Sequence, residues 1–328
     1  MTMNANVPLV MIHGFLSGPE YWTSQLSHLE KNIQVVPICL KGFGERSSET
    51  AFDTIREMAE DVMSQVALLG IKRFHLIGHS MGGMVAQQIG HHWAEQVVSL
   101  TLYGTGPKGE LPGRFEPLQE SIKNASAVSF GDSKQRAVSS WFKNQIEPQV
   151  LKQSMQLAEK VSFQSYLNGL IAMNGWNGEA YVPQYRMPVL IIWADSDRTY
   201  PWGEQISVLW EGIEHSSLCV INDCAHNLSS TGRGDCATTP ISIRTMPAGR
   251  SAASRVEQPE VVPYLGRCGY GRPRRVPPGT LVNGNRGGEP LNRLDTGLTH
   301  LVEELARIGA QGLHVLALTL SKDGVKRQ

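Results

Sequence analysis

A chain of 328 residues, 41% apolar and 18% charged, is long enough to bury one large core or two modest ones. Its 30 Lys and Arg offset 30 Asp and Glu at a pI near 7.2, which excludes a global field for nucleic acid or an anionic membrane and favours a small, roughly neutral substrate. The five cysteines (Cys39, Cys219, Cys224, Cys236 and Cys268) are odd in number and lack CxxC spacing, so neither a disulfide framework nor a zinc site is expected.

The first ten residues carry no basic, long-apolar leader, and no later apolar run approaches the roughly 20 residues that span a bilayer, so the expectation is a cytoplasmic protein. The first strand falls at residues 7–12 and ends in His13-Gly14-Phe15-Leu16-Ser17-Gly18. A second at 33–38 leads into Leu40-Lys41-Gly42-Phe43-Gly44-Glu45-Arg46-Ser47, a loop expected to be structural. Ile55, Met58, Ala59, Val62, Val66 and Leu69 then repeat at helical spacing, with Gly70 as the stop. A strand at 74–77 runs into Gly78-His79-Ser80-Met81-Gly82-Gly83 and a helical stretch at 84–89, and a further strand lies at 97–103.

Residues 107–183 interrupt this alternation with helical patterns and with aromatics that include Trp141, Phe142, Phe163, Tyr166, Trp176 and Tyr181. They read as a helical cap inserted into the sheet domain. Most of those aromatics are expected to pack the insert on the sheet, and which of them line a substrate pocket is left open. Strands resume at 189–193 and 218–221, each followed by an acidic or histidine-bearing loop. Strand alternating with helix predicts an α/β fold with a doubly wound, mostly parallel sheet, its core formed by 1–106 and 184–228.

The remainder differs in kind. Between positions 229 and 321 there are eleven arginines and no lysine, whereas the first 228 residues hold nine lysines and seven arginines. Residues 229–328 are therefore expected to be an atypical Gly/Pro/Arg-rich tail, largely disordered, with a short helix at 298–308 as its one periodic segment.

Chemistry concentrates at Ser80. A nucleophile on a tight turn between strand and helix needs residues without Cβ on either side, and Gly78 and Gly82 supply them. A serine hydroxyl is a poor nucleophile unless a base and an orienting acid accompany it. Asp195 and Asp197 follow the strand at 189–193, and His226 follows the strand at 218–221, both beyond carboxyl ends where open α/β sheets place their sites.

In this order and context the chain resembles the α/β-hydrolase fold family over residues 7–226. The resemblance implies a Ser80, Asp197, His226 triad, because Ile192-Trp193-Ala194-Asp195-Ser196-Asp197 is similar to the family's I-W-G-x-x-D; Asp195 is the competing acid. It also implies an oxyanion hole from the backbone N–H groups of Phe15 and Met81, with no metal and no cofactor. The function implied is hydrolysis of a small carboxylic ester with water. Enol-lactone or carbon–carbon bond hydrolysis of ring-fission products is one alternative, and a catalytically silent ligand-binding protein is another. The tail departs from the family, whose closing helix normally follows the histidine within a short distance.

Overall fold

The computed structural model of the chain describes residues 7–23, 25–26, 33–111, 114–125, 130–143, 148–221, 224–227 and 241–245. Among the described residues the sheet has six parallel strands, β1 (Leu9–Ile12), β2 (Val35–Ile38), β3 (Phe74–His79), β4 (Val97–Tyr103), β5 (Val189–Ala194) and β6 (Ser216–Ile221), with an antiparallel β7 (Ile241–Thr245) at one edge. The spatial order is β2-β1-β3-β4-β5-β6-β7, so β1 stands between β2 and β3 and the winding direction reverses across β1. In such sheets the crevice at the carboxyl ends beside the reversal is the place a ligand reaches.

Both faces of the sheet are buried, and the side-chain alternation of β1 shows how. Val10 and Ile12 face the core shared with Met58, Ala59 and Val62 of helix α1 (Ile55–Leu68) and with Met84 and Val85 of helix α2 (Met81–His92). Leu9 and Met11 point the other way, into a cluster with Trp22, Ile77, Tyr103 and Ile192. Helix α1 begins where Thr54 caps it, its hydroxyl oxygen accepting the Glu57 N–H at 3.2 Å, and stops at Gly70, whose φ of 71° suits a residue without Cβ. Helix α2 starts three residues earlier than its apolar pattern suggests, directly after Ser80.

Among the described residues, four α-helices lie between β4 and β5: α3 (Leu118–Asn124), α4 (Phe130–Ser139), α5 (Pro148–Lys160) and α6 (Phe163–Asn174). They pair as α3 with α6 and α4 with α5. Helix α6 is tied to the loop after β2, since Ser165 Oγ accepts the Ala51 N–H at 3.0 Å and Asn168 Nδ2 donates to the Ala51 carbonyl at 2.7 Å. A short helix α7 (Ser207–Gly212) connects β5 to β6.

One element falls within the segment expected to be largely disordered: β7 (Ile241–Thr245) pairs antiparallel with β6, from Ser217 opposite Thr245 to Ile221 opposite Ile241. The alternation Ile-Ser-Ile-Arg is a period-two signal, but five residues inside a Gly/Pro/Arg-rich stretch are too few to stand out. The rest of 229–328, including the helix expected at 298–308, lies outside the described residues.

Candidate active site

Ser80 sits between the end of β3 and the start of α2 with φ 54° and ψ −120°, a backbone that an L-residue adopts only under constraint. The constraint is visible in its neighbours. Its N–H donates to the Tyr103 carbonyl at 3.1 Å, and its carbonyl accepts the Thr105 hydroxyl at 2.8 Å and the Gly83 N–H at 2.8 Å. A Cβ on Gly78 would strike the Gly82 carbonyl, and a Cβ on Gly82 would strike the carbonyl oxygens of His13 and Ile12, so the turn closes only with glycine at both places.

The loops after β5 and β6 bring two of the expected residues to this serine. His226 is buried, with Nε2 2.9 Å from Ser80 Oγ and Nδ1 2.8 Å from Asp197 Oδ2. Asp197 is itself held, because Oδ1 accepts the N–H of Thr199 at 2.8 Å and of Tyr200 at 3.3 Å. Asp195 is exposed and accepts the Ser196 hydroxyl instead, at 3.1 Å. The two loops are joined by the Ser196 N–H donating to the Cys224 carbonyl at 3.0 Å.

The loop after β1 approaches Ser80 from the opposite flank. A Cβ on Gly14 would lie 3.1 Å from Ser80 Cβ, and Leu16, two residues on, is the other non-glycine with positive φ among the described residues, at 55°. Phe15 therefore follows immediately upon the closest approach. Its ring packs against Tyr166 of α6 at 5.5 Å and fits where Gly169 leaves room for it. Met81, the other residue the resemblance implicates, is the first residue of α2.

Several neighbours frame these groups, and of them Tyr200 carries no sequence signal. His79 donates from Nε2 to the His226 carbonyl at 3.2 Å and stacks on Tyr21 at 4.3 Å between centroids; burial, reinforced by nearby His226, drives its pKa well below the usual imidazole value. His13 accepts the Leu40 N–H on Nε2 at 3.1 Å and donates from Nδ1 to the Gly14 carbonyl, so it braces the β1 loop against the β2 loop as a neutral ring, with burial lowering its pKa to about 4. Tyr200 is fully buried with its ring 5.4 Å from that of His226, and burial raises its phenol pKa. Trp141, one of the aromatics between β4 and β5, accepts the Asn227 N–H on its carbonyl at 3.0 Å and so touches the histidine loop.

A doubly wound sheet that presents a serine on a strained elbow, with an imidazole and a carboxylate lined up behind it, is the architecture of an α/β hydrolase. The chain belongs to the alpha/beta hydrolase fold family, whose sequence model matches residues 7–232, and it is a hydrolase of that fold. A putative carbamate hydrolase RutD from Agrobacterium fabrum is 23% identical over 234 residues, spanning 70% of this chain and 89% of its own. A 2-hydroxy-6-oxononadienedioate/2-hydroxy-6-oxononatrienedioate hydrolase from a Pseudomonas species is 26% identical over 244 residues, spanning 68% and 82%. Among solved structures, the enol-lactonase from Burkholderia xenovorans LB400 superposes with a TM-score of 0.62 at 19% identity, over 68% of this chain and 85% of that one, a likeness of fold. No helix among the described residues is long and apolar enough to cross a membrane.

Proposed function

We propose that the protein is a serine esterase that cleaves a small carboxylic ester through an acyl-enzyme. The reading rests above all on one observation: a single buried imidazole lies 2.9 Å from the Ser80 hydroxyl on one side and 2.8 Å from the Asp197 carboxylate on the other. In this scheme Ser80 Oγ attacks the ester carbonyl while His226 Nε2 takes its proton. His226 then returns that proton to the departing alkoxide, and a water attacks the acyl-enzyme by the same route. Asp197 keeps Nδ1 protonated and stabilises the imidazolium; its own two N–H donors hold it in place for this.

The tetrahedral oxyanion is assigned to the N–H groups of Phe15 and Met81. The position of Met81 at the helix N-terminus favours this, because the first N–H groups of a helix have no partner within it and meet negative charge with the positive end of the dipole. Gly14, packed close to Ser80, brings the Phe15 backbone to the other side. The segment between β4 and β5 serves as the cap, with Trp141 6.3 Å from the His226 ring and Tyr166 5.5 Å from the Phe15 ring between centroids.

A second reading is favoured by the relative named for a dienedioate: the same three residues would attack a ketone carbonyl and release a carbon leaving group. Both readings need the Ser80 hydroxyl. Ser80→Ala should abolish labelling by a fluorophosphonate probe and the burst of acylation on a nitrophenyl ester, with kcat falling on the order of 10⁴-fold or more. Undiminished turnover in that variant would overturn the assignment, and a wild-type protein that neither labels nor turns over esters would leave ligand binding as its role.

A further inference from the structure

Two adjacent residues of the elbow reach the same partner. Ser80 Oγ lies 2.9 Å from Nε2 of the His226 ring, and His79, the last residue of β3, donates from its own Nε2 to the main-chain carbonyl of His226 at 3.2 Å. The peptide that follows the base is held from its other end as well, because the Asn227 N–H donates to the Trp141 carbonyl at 3.0 Å. The sheet and the segment between β4 and β5 thus grip opposite ends of one peptide unit. The rings of His79 and His226 are 5.0 Å apart between centroids, so the grip acts beside the imidazole itself.

Packing alone does not account for an imidazole at position 79. The side chain is buried, stacks on Tyr21 at 4.3 Å with the ring planes 16° apart, and meets Tyr103 edge to face at 5.6 Å. A phenyl ring would fill that aromatic slot equally well. Burial, with His226 close by, keeps the imidazole neutral, so it carries one N–H and one bare nitrogen. The N–H goes to the His226 carbonyl. The bare Nδ1 is buried without a hydrogen-bond partner among the described residues, and a Cβ on Gly14 would lie 3.0 Å from it. An orphaned buried acceptor costs stability. Phenylalanine would avoid that cost and lose one interaction, the hydrogen bond to His226.

We propose that His79 is a positioning residue for the reaction, gripping the backbone of His226 so that its ring stays in line between Ser80 and Asp197. This role rests on the reading of Ser80 and His226 as nucleophile and base, and it serves ester and carbon–carbon cleavage alike. His79 acts through His226 and not on the substrate. Because it directly precedes Ser80 in the chain, the elbow that presents the nucleophile also holds the main chain of the base. The distance between the two reacting groups is then set by one short segment of backbone, not by two loops that move independently.

Two variants separate the grip from the packing. His79→Phe keeps the stacked ring and removes the donor, whereas His79→Gln supplies an N–H at a similar reach. On a nitrophenyl ester, with kcat expressed per burst-titrated site so that unfolded protein does not count, His79→Phe should lose roughly 10- to 100-fold in kcat. Its KM should change by less than about threefold, and His79→Gln should recover most of the lost kcat. The melting temperature of His79→Phe should stay within about 5 °C of the wild type, since the lost bond and the removed orphan offset each other. A ring that only packs would give the reverse, full kcat in His79→Phe and a loss in His79→Gln. That result, or equal losses in both, would overturn the proposal. If His79→Phe does not fold, His79→Met replaces it as the variant without a donor, and the same gap in kcat from His79→Gln is expected. The low-field proton resonance of His226 Nδ1–H, which Asp197 holds at 2.8 Å, reads the alignment without turnover. It should be sharp in the wild type and in His79→Gln, and shifted or broadened in the donorless variant; an unchanged resonance there would overturn the proposal. If no ester is cleaved and Ser80 resists a fluorophosphonate, the esterase reading fails, while the resonance still decides whether His79 holds His226 in place.

Discussion

Ser80 holds its φ of 54° because the chain on either side of it is fastened, by the Tyr103 carbonyl before the turn and by Thr105 and Gly83 after it. Side chains with a Cβ are strained in that region by about 1–3 kcal/mol, and glycine is not. Two substitutions that both delete the hydroxyl therefore separate strain from chemistry: Ser80→Gly should be more stable than Ser80→Ala by about 1 kcal/mol in urea unfolding, although glycine ordinarily costs stability. Equal midpoints, or alanine the more stable, would mean the elbow stores no strain. The elbow is legible in the sequence because its demand for glycine is local, set by the carbonyls that Gly78 and Gly82 press against. The choice between Asp195 and Asp197 is not local. Two aspartates on one loop differ only in which of them the N–H groups of Thr199 and Tyr200 turn toward His226. Tyr200 escapes sequence reading, since it reaches the site through a contact with the His226 ring across the fold rather than through a motif.

Between elements, the loop after β2 shows how a segment without catalytic groups can hold the sheet's carboxyl edge. Arg46 donates from Nη1 and Nη2 to Asp61 of α1 at 2.6 and 3.2 Å, from Nε and Nη2 to Glu49 at 2.7 and 3.0 Å, and from Nη1 to the Cys39 carbonyl at 3.2 Å. One planar fork thus fastens β2, its loop and α1 together. A lysine offers a single point charge and cannot make two bidentate pairs, so Arg46→Lys should cost about 1–2 kcal/mol, a figure kept low because the guanidinium is 24% exposed. Thermal unfolding checks it, and a loss within a few tenths of a kcal/mol would show that charge alone sustains the loop. The sequence places this loop but not its clamp, because Asp61 is one of several acidic residues on the polar face of α1. Strands and helices are legible where periodicity runs long, as in α1. Ends are less so: β3 continues through Gly78 and His79 beyond its apolar run, and β7 is hidden by the composition around it.

Across the molecule, acid should find its target in buried neutral imidazoles rather than in net charge, which is close to zero. His13 and His75 each fall to about pKa 4 through burial, helped at His75 by the charge of Arg73, and His79 falls well below its usual value. A group whose folded pKa is depressed from 6.5 to about 4 is neutral when folded and protonated when unfolded between those values. The unfolded state then binds more protons, so stability present above about pH 6.5 is lost as pH falls toward 4. His75 offers the cleanest probe. It lies on β3 away from Ser80, with Nδ1 2.7 Å from Ser99 Oγ on β4. Replacing it with asparagine removes one titrating site from the core without touching the reacting groups. Urea midpoints at about pH 7 and pH 5 should then converge: the drop in unfolding free energy between the two should be smaller in His75→Asn than in the wild type by about 1–2 kcal/mol. An identical drop in both proteins would mean that His75 is protonated in the folded state, with Ser99 able to satisfy a charged ring. The acid sensitivity would then have to come from His13 and His79, the two imidazoles that brace the β1 loop and the backbone of His226. In that case acid would loosen the site along with the fold.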